Sequence, residues 1–316
     1  MASYLVTGGA GFIGSNIIER LVEQDEQVRV IDSFITGKRE NLAPFMDRIE
    51  LIEGDIRDPE DLKKACKGID YILHQAALRS VPKSVDDPVL TNDINIAGTL
   101  RVLMAAKEMG VKRVVYASSS SIYGDTDKFP QKEEDLPRPI SPYAVSKLTG
   151  EHYCRTFSAT FGLETVSLRY FNVFGPRQNP ESKYSAVIPI LTFRMLKDEP
   201  PTVEWDGKQS RDFTYVGNVV DANLKAAITP GISGEALNVA CGNSISINEI
   251  VALLNGILDK DIKPVFAPKR RGDVAKTYAD INKMHTILNL QPNVQFKDGL
   301  EKTVAWFKNN PSILTP

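Results

Sequence analysis

Thr7-Gly8-Gly9-Ala10-Gly11-Phe12-Ile13-Gly14 stands where the short run Tyr4-Leu5-Val6-Thr7 gives way to a helical stretch from Phe12 to Glu23. Each glycine has a physical task at such a junction. Gly8 permits a tight turn, Gly11 lets backbone come close to a pyrophosphate, and Gly14 allows the helix to pack on the strand. The helix that opens at Phe12 and Ile13 then offers free N–H groups and the positive end of its dipole to phosphate. Asp32 ends the next strand, 24 residues after Gly8, where a carboxylate can bond both ribose hydroxyls. Strand, turn, helix and acid in this order predict a dinucleotide site. A carboxylate repels a 2′-phosphate, so NAD is favoured over NADP. Lys38 and Arg39 lie in the following loop, either solvated or within reach of such a phosphate.

Working outward, short β-rich runs alternate with helical stretches, the pattern of a parallel sheet covered on both faces. Strands are expected at Gln27 to Ile31, Glu50 to Glu53, Tyr71 to Leu73, Arg113 to Ala117 and Glu164 to Leu168. Helices are expected at Asp61 to Ala65, Asn95 to Met109 and about Tyr143 to Phe161. The fold class is therefore α/β, a doubly wound parallel sheet with a smaller C-terminal α/β lobe. Residues 1–170, joined by 213–238, form the dinucleotide domain, and 171–316 form the second lobe, which begins where Gly175-Pro176-Arg177-Gln178-Asn179-Pro180 breaks the rhythm. Asp55-Ile56 after the third strand suits the adenine ring, and Gln75-Ala76 after the fourth lets backbone lie against the cofactor. Asn95 joins this cofactor set.

Bulk properties exclude several function classes. Lys+Arg 38 nearly cancels Asp+Glu 40, so the net charge of −2 gives no general attraction to nucleic acid or acidic lipid. No apolar run approaches the ~18 residues of a membrane helix, and Met1-Ala2-Ser3-Tyr4 runs into a strand with no leader pattern. Cys66, Cys154 and Cys241 form no CxxC pair, which fits free thiols in a reducing compartment. His74, His152 and His285 are equally scattered, so no metal site is expected. The cytoplasm is the expected location.

Tyr143 and Lys147 are four residues apart and share one face of a helix. A phenol titrates near pH ~10, so a base at neutral pH needs ~4 kcal/mol of preference for the phenolate. One cation about 5 Å away at an effective dielectric near 20 supplies roughly 3 kcal/mol. Lys147 is therefore expected to do most of that work, with the positive charge of oxidised nicotinamide completing it. The strand Val114-Val115-Tyr116-Ala117 delivers Ser118-Ser119-Ser120-Ser121 to the carboxyl edge of the sheet, where Ser119 can bond a reacting hydroxyl and pass its proton toward Tyr143.

Together the Gly8/Gly11/Gly14 turn, Ser119, Tyr143 and Lys147 resemble the extended short-chain dehydrogenase/reductase family. Leu168-Arg169-Tyr170-Phe171-Asn172-Val173-Phe174-Gly175 and Arg270-Arg271-Gly272-Asp273 are similar to its sugar-nucleotide branch, and more narrowly to UDP-glucose and UDP-N-acetylglucosamine 4-epimerases. The resemblance implies that Asn172 binds the phosphates of a UDP-sugar, with Val187 near the nucleoside. Arg211 and Arg270 would grip the diphosphate and Asp273 the ribose. Ser80 and Ser84 would face the sugar or nicotinamide side, and Ser119, Ser120 and Ser121 would line the sugar. Thr277 would occupy the gate beside carbon 2, where a small residue admits an N-acetyl group. A homodimer through the Asn95–Met109 and Tyr143–Phe161 helices is implied as well.

The implied reaction is oxidation at carbon 4 with Tyr143 as base, rotation of the 4-keto sugar about its diphosphate, and reduction from the opposite face. Dehydrating relatives carry Asp and Glu where this chain has Ser120 and Ser121, which disfavours dehydration. A decarboxylase or dehydratase on the same scaffold, or a non-catalytic NAD sensor, stands as the alternative. Asn218 departs from the aspartate common in the segment after Arg-Asp-Phe, which puts a local contact in doubt.

Overall fold

The apolar runs of the central strands are buried on both faces, as parallel strands must be when helices cover each side, and the edge strand at Ile49–Glu53 is only half-buried. The computed structural model describes residues 1–180, 186–269 and 275–310. Its main sheet has seven strands: β1 (Ser3–Thr7), β2 (Gln27–Asp32), β3 (Ile49–Glu53), β4 (Tyr71–His74), β5 (Arg113–Ser119), β6 (Glu164–Tyr170) and β7 (Glu235–Val239). They lie in the order β7-β6-β5-β4-β1-β2-β3, and each neighbouring pair is parallel. Tyr4, Val6, Val28, Val30, Val166 and Leu168 point to one face, under helices α1 (Phe12–Glu23) and, later in the chain, Val216–Ile228. Leu5, Ile31, Ile72, Val114 and Tyr116 point to the other, under α2 (Thr99–Glu108) and α3 (Pro142–Phe161). This is a doubly wound Rossmann-like fold.

Parallel strands put all their carboxyl ends on one edge, so Gly8, Asp32, Gln75, Ser119 and Asn172 gather there whatever their separation in sequence. The order β3-β2-β1-β4 reverses at β1, and the crevice opens at that switch point. Val216–Ile228, here α4, packs on α1, and β7 adds to β6 at the sheet edge. The remaining C-terminal residues build a second core, in which Phe174, Phe213 and Phe296 meet Leu191, Ile250 and Leu300.

Two helix starts explain how local chemistry sets the boundaries. Ser141 accepts a hydrogen bond from Ala144 N at 3.1 Å and Pro142 occupies the first turn, so α3 begins just before Tyr143. The helix expected from Asn95 begins earlier than the apolar pattern indicated. Asp87 caps Pro88–Asn92 by accepting from Leu90 N, and the chain passes through a π-helical turn at Asp93–Gly98 before α2. Such a turn rotates the side chains that follow it and often accompanies a functional position; here it carries Asn95.

Close approach fixes the glycine turn. A Cβ at Gly14 would lie 2.4 Å from the Gly8 carbonyl oxygen, whereas one at Gly256, inside Ile247–Leu258, would meet nothing within 4 Å. Gly14→Ala should therefore destabilise the protein by about 1–3 kcal/mol through overpacking. Gly256→Ala should stabilise it by about 0.5–1 kcal/mol through backbone entropy and helix propensity. Urea unfolding of both variants checks the opposed signs.

Candidate active site

The glycine turn forms a cradle of bare backbone. Gly8 has φ +67°, and a Cβ there would lie 2.7 Å from Ala76 Cα, so the β1 and β4 strand ends touch through backbone. Gly11 is the N-cap of α1 and supplies no side-chain cap, leaving the helix start open. A Cβ at Gly11 would meet only the Gly8 oxygen, at 3.1 Å, and would otherwise fill the space above the turn. Asp32 is buried beside it and accepts from Ala10 N and Phe34 N, both at 2.8 Å. These residues fit a dinucleotide: an open helix end for pyrophosphate and a carboxylate at the ribose position. Arg39 lies over the Phe34 ring and pairs with Glu53 at 2.6 Å, so its charge is turned to the loop.

A chain of hydrogen bonds supports the floor. Ala76 N donates to Thr7 Oγ1, Thr7 bonds His74 Nδ1 at 2.7 Å, and His74 Nε2 meets Thr99 Oγ1, which itself donates to the Asn95 carbonyl. With the Thr99 proton committed, Nε2 must donate and Nδ1 must accept, which fixes a neutral ring. Burial agrees, pushing the His74 pKa down to about 3. Sequence reasoning left His74 without a role; only the pairing of β1 with β4 brings it against Thr7.

Several expected contacts are placed differently. Asn95 Oδ1 accepts from Leu78 N while Nδ2 donates to Leu78 O and Ser146 Oγ, so its amide clamps the floor backbone instead of presenting a free edge. The Gln75 amide turns inward to Tyr170 and Asn223, leaving its backbone toward the crevice. Ile56 is buried under Gly98, and the Asp55 carboxylate is forked by Arg57, which holds it below the usual carboxylate range. Ser80 caps the short helix Val81–Asp86. Ser84 donates to Val81 O and accepts from Tyr143 N, which ties it to the catalytic helix. Its one proton is spent, and the side chain braces the backbone at Tyr143.

Tyr143 sits half-buried on α3, with Ser119 close enough to act on its phenol. Lys147 is 3 % exposed, donates to Ala117 O at 2.8 Å and lies 5.9 Å from the Tyr143 ring centroid. The electrostatics differ from the sequence expectation. Burial raises the Tyr143 pKa, opposed by Ser119 and by the nearby Arg79 charge. Lys147 is itself pushed down to about 7 by burial. A desolvated ammonium half way to neutrality is a weak source of field, so it does not by itself make the phenol basic. Arg79, an unmarked position in the sequence, contributes instead.

On the substrate side, Ser120 opens the turn Ser120–Tyr123, and Ser121 Oγ is buried with no partner, an orphan that a ligand hydroxyl would satisfy. Asn172 Oδ1 accepts from Thr277 Oγ1 at 3.3 Å, which brings together the expected phosphate residue and the expected gate. Arg211 donates to Ser210 O in the strand Ser210–Arg211, and Val187 begins the helix Val187–Leu196. Arg270 and Asp273 lie outside the described residues. Asn218 clamps Val294, donating to its carbonyl and accepting from its N–H; an aspartate could make only the second bond, so the departure from the family pattern has a local purpose.

Residues 4–240 match the model of the NAD dependent epimerase/dehydratase family. The chain belongs to that family. It is 37 % identical over 308 residues to a putative UDP-glucose 4-epimerase of Methanocaldococcus jannaschii, covering 97 % of this chain and 98 % of the relative. Among solved structures it is similar to the UDP-N-acetylglucosamine 4-epimerase of Methanobrevibacter ruminantium in complex with UDP-N-acetylmuramic acid, at 40 % identity and TM-score 0.93, covering 98 % and 99 % of the two chains. The UDP-glucose 4-epimerase of Thermus thermophilus in complex with NAD is 36 % identical with TM-score 0.87, covering 96 % and 98 %. Membership in this NAD-dependent family agrees with the cradle at Gly8, Gly11 and Asp32. Among the described residues no cluster of metal-binding side chains occurs and no helix is long and apolar enough to cross a membrane.

The depressed lysine of this epimerase/dehydratase has a thermodynamic signature. Between pH 7 and 10 the unfolded chain binds a proton at Lys147 that the folded chain has lost, so stability should rise with pH across that window. Lys147→Met should remove about one proton's worth of that slope in urea unfolding without cofactor. An unchanged slope would mean the ammonium stays charged in the fold.

Proposed function

We propose that this chain is a UDP-hexose 4-epimerase that accepts UDP-N-acetylglucosamine and UDP-N-acetylgalactosamine, with UDP-glucose and UDP-galactose as further substrates. The observation that carries this is Tyr143 beside Lys147 and Ser119 at the end of β5, with serines at 120 and 121 where a dehydratase needs carboxyl groups. The named activities of the relatives support the same reading. Residues 1–170 with 213–238 hold NAD, and 171–316 hold the sugar nucleotide, with Arg211, Arg270, Asn172, Val187 and Asp273 on the nucleotide and Thr277 beside carbon 2.

Bound NAD supplies reversible redox chemistry at carbon 4 and a positively charged ring near the phenol. Ser119 orients the carbon-4 hydroxyl and relays its proton to the Tyr143 oxygen. Tyr143, neutral while the crevice is empty because burial raises its pKa, would release its own proton to solvent once added positive charge favours the phenolate, and the phenolate would then take the carbon-4 hydroxyl proton. Lys147 keeps the helix face against the strand end through Ala117. Tyr143 returns the proton when the ring has turned. The unpartnered Ser121 hydroxyl meets the sugar.

Anomeric-proton NMR with UDP-N-acetylglucosamine should show the galacto isomer with no loss of carbon dioxide or water. Tyr143→Phe should lower turnover by about 10²–10⁴-fold with nucleotide binding intact; near-normal turnover would overturn its role as base. Thr277→Tyr should remove N-acetyl activity selectively, and Thr277→Val, which keeps the size and drops the bond to Asn172, should preserve the preference. A cytoplasmic homodimer completes the reading; Met104, Val145 and Phe161 leave apolar side chains exposed on the helices that would pair, which supports the dimer. Val145→Asp should then halve the mass seen by light scattering.

A further inference from the structure

The face of α3 that carries Tyr143 and Lys147 continues for one more turn to Glu151, at the same four-residue spacing. Two of these side chains grip consecutive residues at the end of β5, and the third, Tyr143, lies by the next one, Ser119. Lys147 Nζ donates to Ala117 O at 2.8 Å, and Glu151 Oε1 accepts from Ser118 Oγ. The Glu151 carboxylate is 7 % exposed and is forked by Arg169, with Nε to Oε1 at 3.0 Å and Nη2 to Oε2 at 2.9 Å. Arg169, 5 % exposed, uses its remaining Nη1 on Tyr123 Oη at 2.9 Å and on the Glu133 carbonyl at 3.1 Å. Tyr123 in turn donates to Asn238 Oδ1, and Asn238 N donates to Glu133 Oε1. Gln131, two residues before Glu133, pairs with Tyr278 and Asp280, next to Thr277.

We propose that Glu151 is a positioning residue of the reaction: with Arg169 as counter-ion it locks Ser118, and through the backbone of Ser118 it fixes Ser119 against Tyr143. The same arginine fastens the segment around Glu133 that runs beside Thr277, so one ion pair sets both the proton path and one wall of the sugar pocket. An ion pair is no routine way to stabilise a core, since apolar replacements of equal volume commonly do as well or better. What it supplies here is direction. A carboxylate with two acceptor oxygens can hold a guanidinium fork and a serine hydroxyl at once, and no apolar pair can do that. The charges cancel within the pair, so Lys147 gains no counter-ion from Glu151 although they are one turn apart.

The inference rests on the epimerase reading for its kinetic arm and has a second arm that does not. Ser118→Ala removes only the hydroxyl link and leaves Glu151 paired with Arg169. Glu151→Gln with Arg169→Met removes both charges together. In the NAD-loaded protein with UDP-N-acetylglucosamine, Ser118→Ala should lower kcat by roughly ten- to a hundredfold with KM little changed, the mark of a displaced proton path and intact ground-state binding. The second arm titrates the Tyr143 phenol by difference absorbance against Tyr143→Phe. Of the groups acting on that phenol, Ser119 and Arg79, Ser119 is the one that Ser118→Ala displaces, so the titration should move to higher pH. The double variant should show both changes if it folds; if it does not, Ser118→Ala decides alone. Parent-like kcat together with an unmoved Tyr143 titration would overturn the proposal. A parent inactive on every UDP-sugar would sink the epimerase reading alone, and the titration would still decide whether Glu151 positions the pair.

Discussion

A buried ammonium needs an acceptor, and at Lys147 it has the carbonyl oxygen of Ala117, 2.8 Å away. That bond, with the one from Ser118 to Glu151, ties α3 to the end of β5 below Tyr143. Burial without a carboxylate partner brings Lys147 to about 7, so its charge at neutral pH depends on what else enters the crevice. Oxygen acceptors carried in by a ligand would complete the shell of its remaining N–H bonds and restore the charge. Tyr143 is under the opposite pressure, raised by the same burial. Desolvation thus keeps the Tyr143 phenol protonated and leaves Lys147 only partly charged near neutral pH, a resting state that differs from a fixed lysine field acting on a ready phenolate.

Much of the fold follows from simple patterning. Val28-Arg29-Val30-Ile31 and Val114-Val115-Tyr116 are short, apolar and β-branched or aromatic, and the glycine turn at residues 8–14 can only join a strand to a helix. The helix beginning was less legible at Asp87-Pro88, because the apolar periodicity strengthens only after a π-turn that no sequence rule announces. Ser119, Tyr143 and Lys147 were recognisable because four-residue spacing and a strand-end serine are local signals. Glu151 was equally accessible by spacing, one turn further on, and was missed because a lone glutamate on a helix usually faces water; its burial depends on Arg169 from β6, a partner 18 residues away.

Contacts made across the sheet were the hardest to see. His74 works only because β1 and β4 are neighbours, which places Thr7 opposite it, and because α2 brings Thr99 to its other nitrogen. Asn95 and Ser84 have polar side chains near a presumed ligand, and sequence alone assigns such groups to the ligand. In the fold their donors are spent on Leu78 and Val81. They shape the crevice by holding backbone, which suits a site that presents mostly main-chain groups to a dinucleotide.

Three segments of the C-terminal part of the chain meet at Asp212, which follows the expected phosphate residue Arg211. Asp212 is fully buried, and its carboxylate gathers the N–H groups of Cys241, Asn243 and Ala279, while its own N–H reaches Thr277 Oγ1 at 3.4 Å. Burial still raises its pKa to about 6, so these backbone donors only partly offset desolvation. An acid retained at that penalty does what an apolar residue could not: it ties the strand bearing Arg211 to the loop after β7 and to the segment bearing Thr277. Thr277 is therefore attached to the strand bearing Arg211 by Asp212 and to Asn172 by its own hydroxyl. In the proposed epimerase, pocket size at carbon 2 and the grip on the nucleotide would then be set by one connected piece of backbone, and a sugar turning within the pocket would do so against a wall anchored to the same frame that holds its diphosphate.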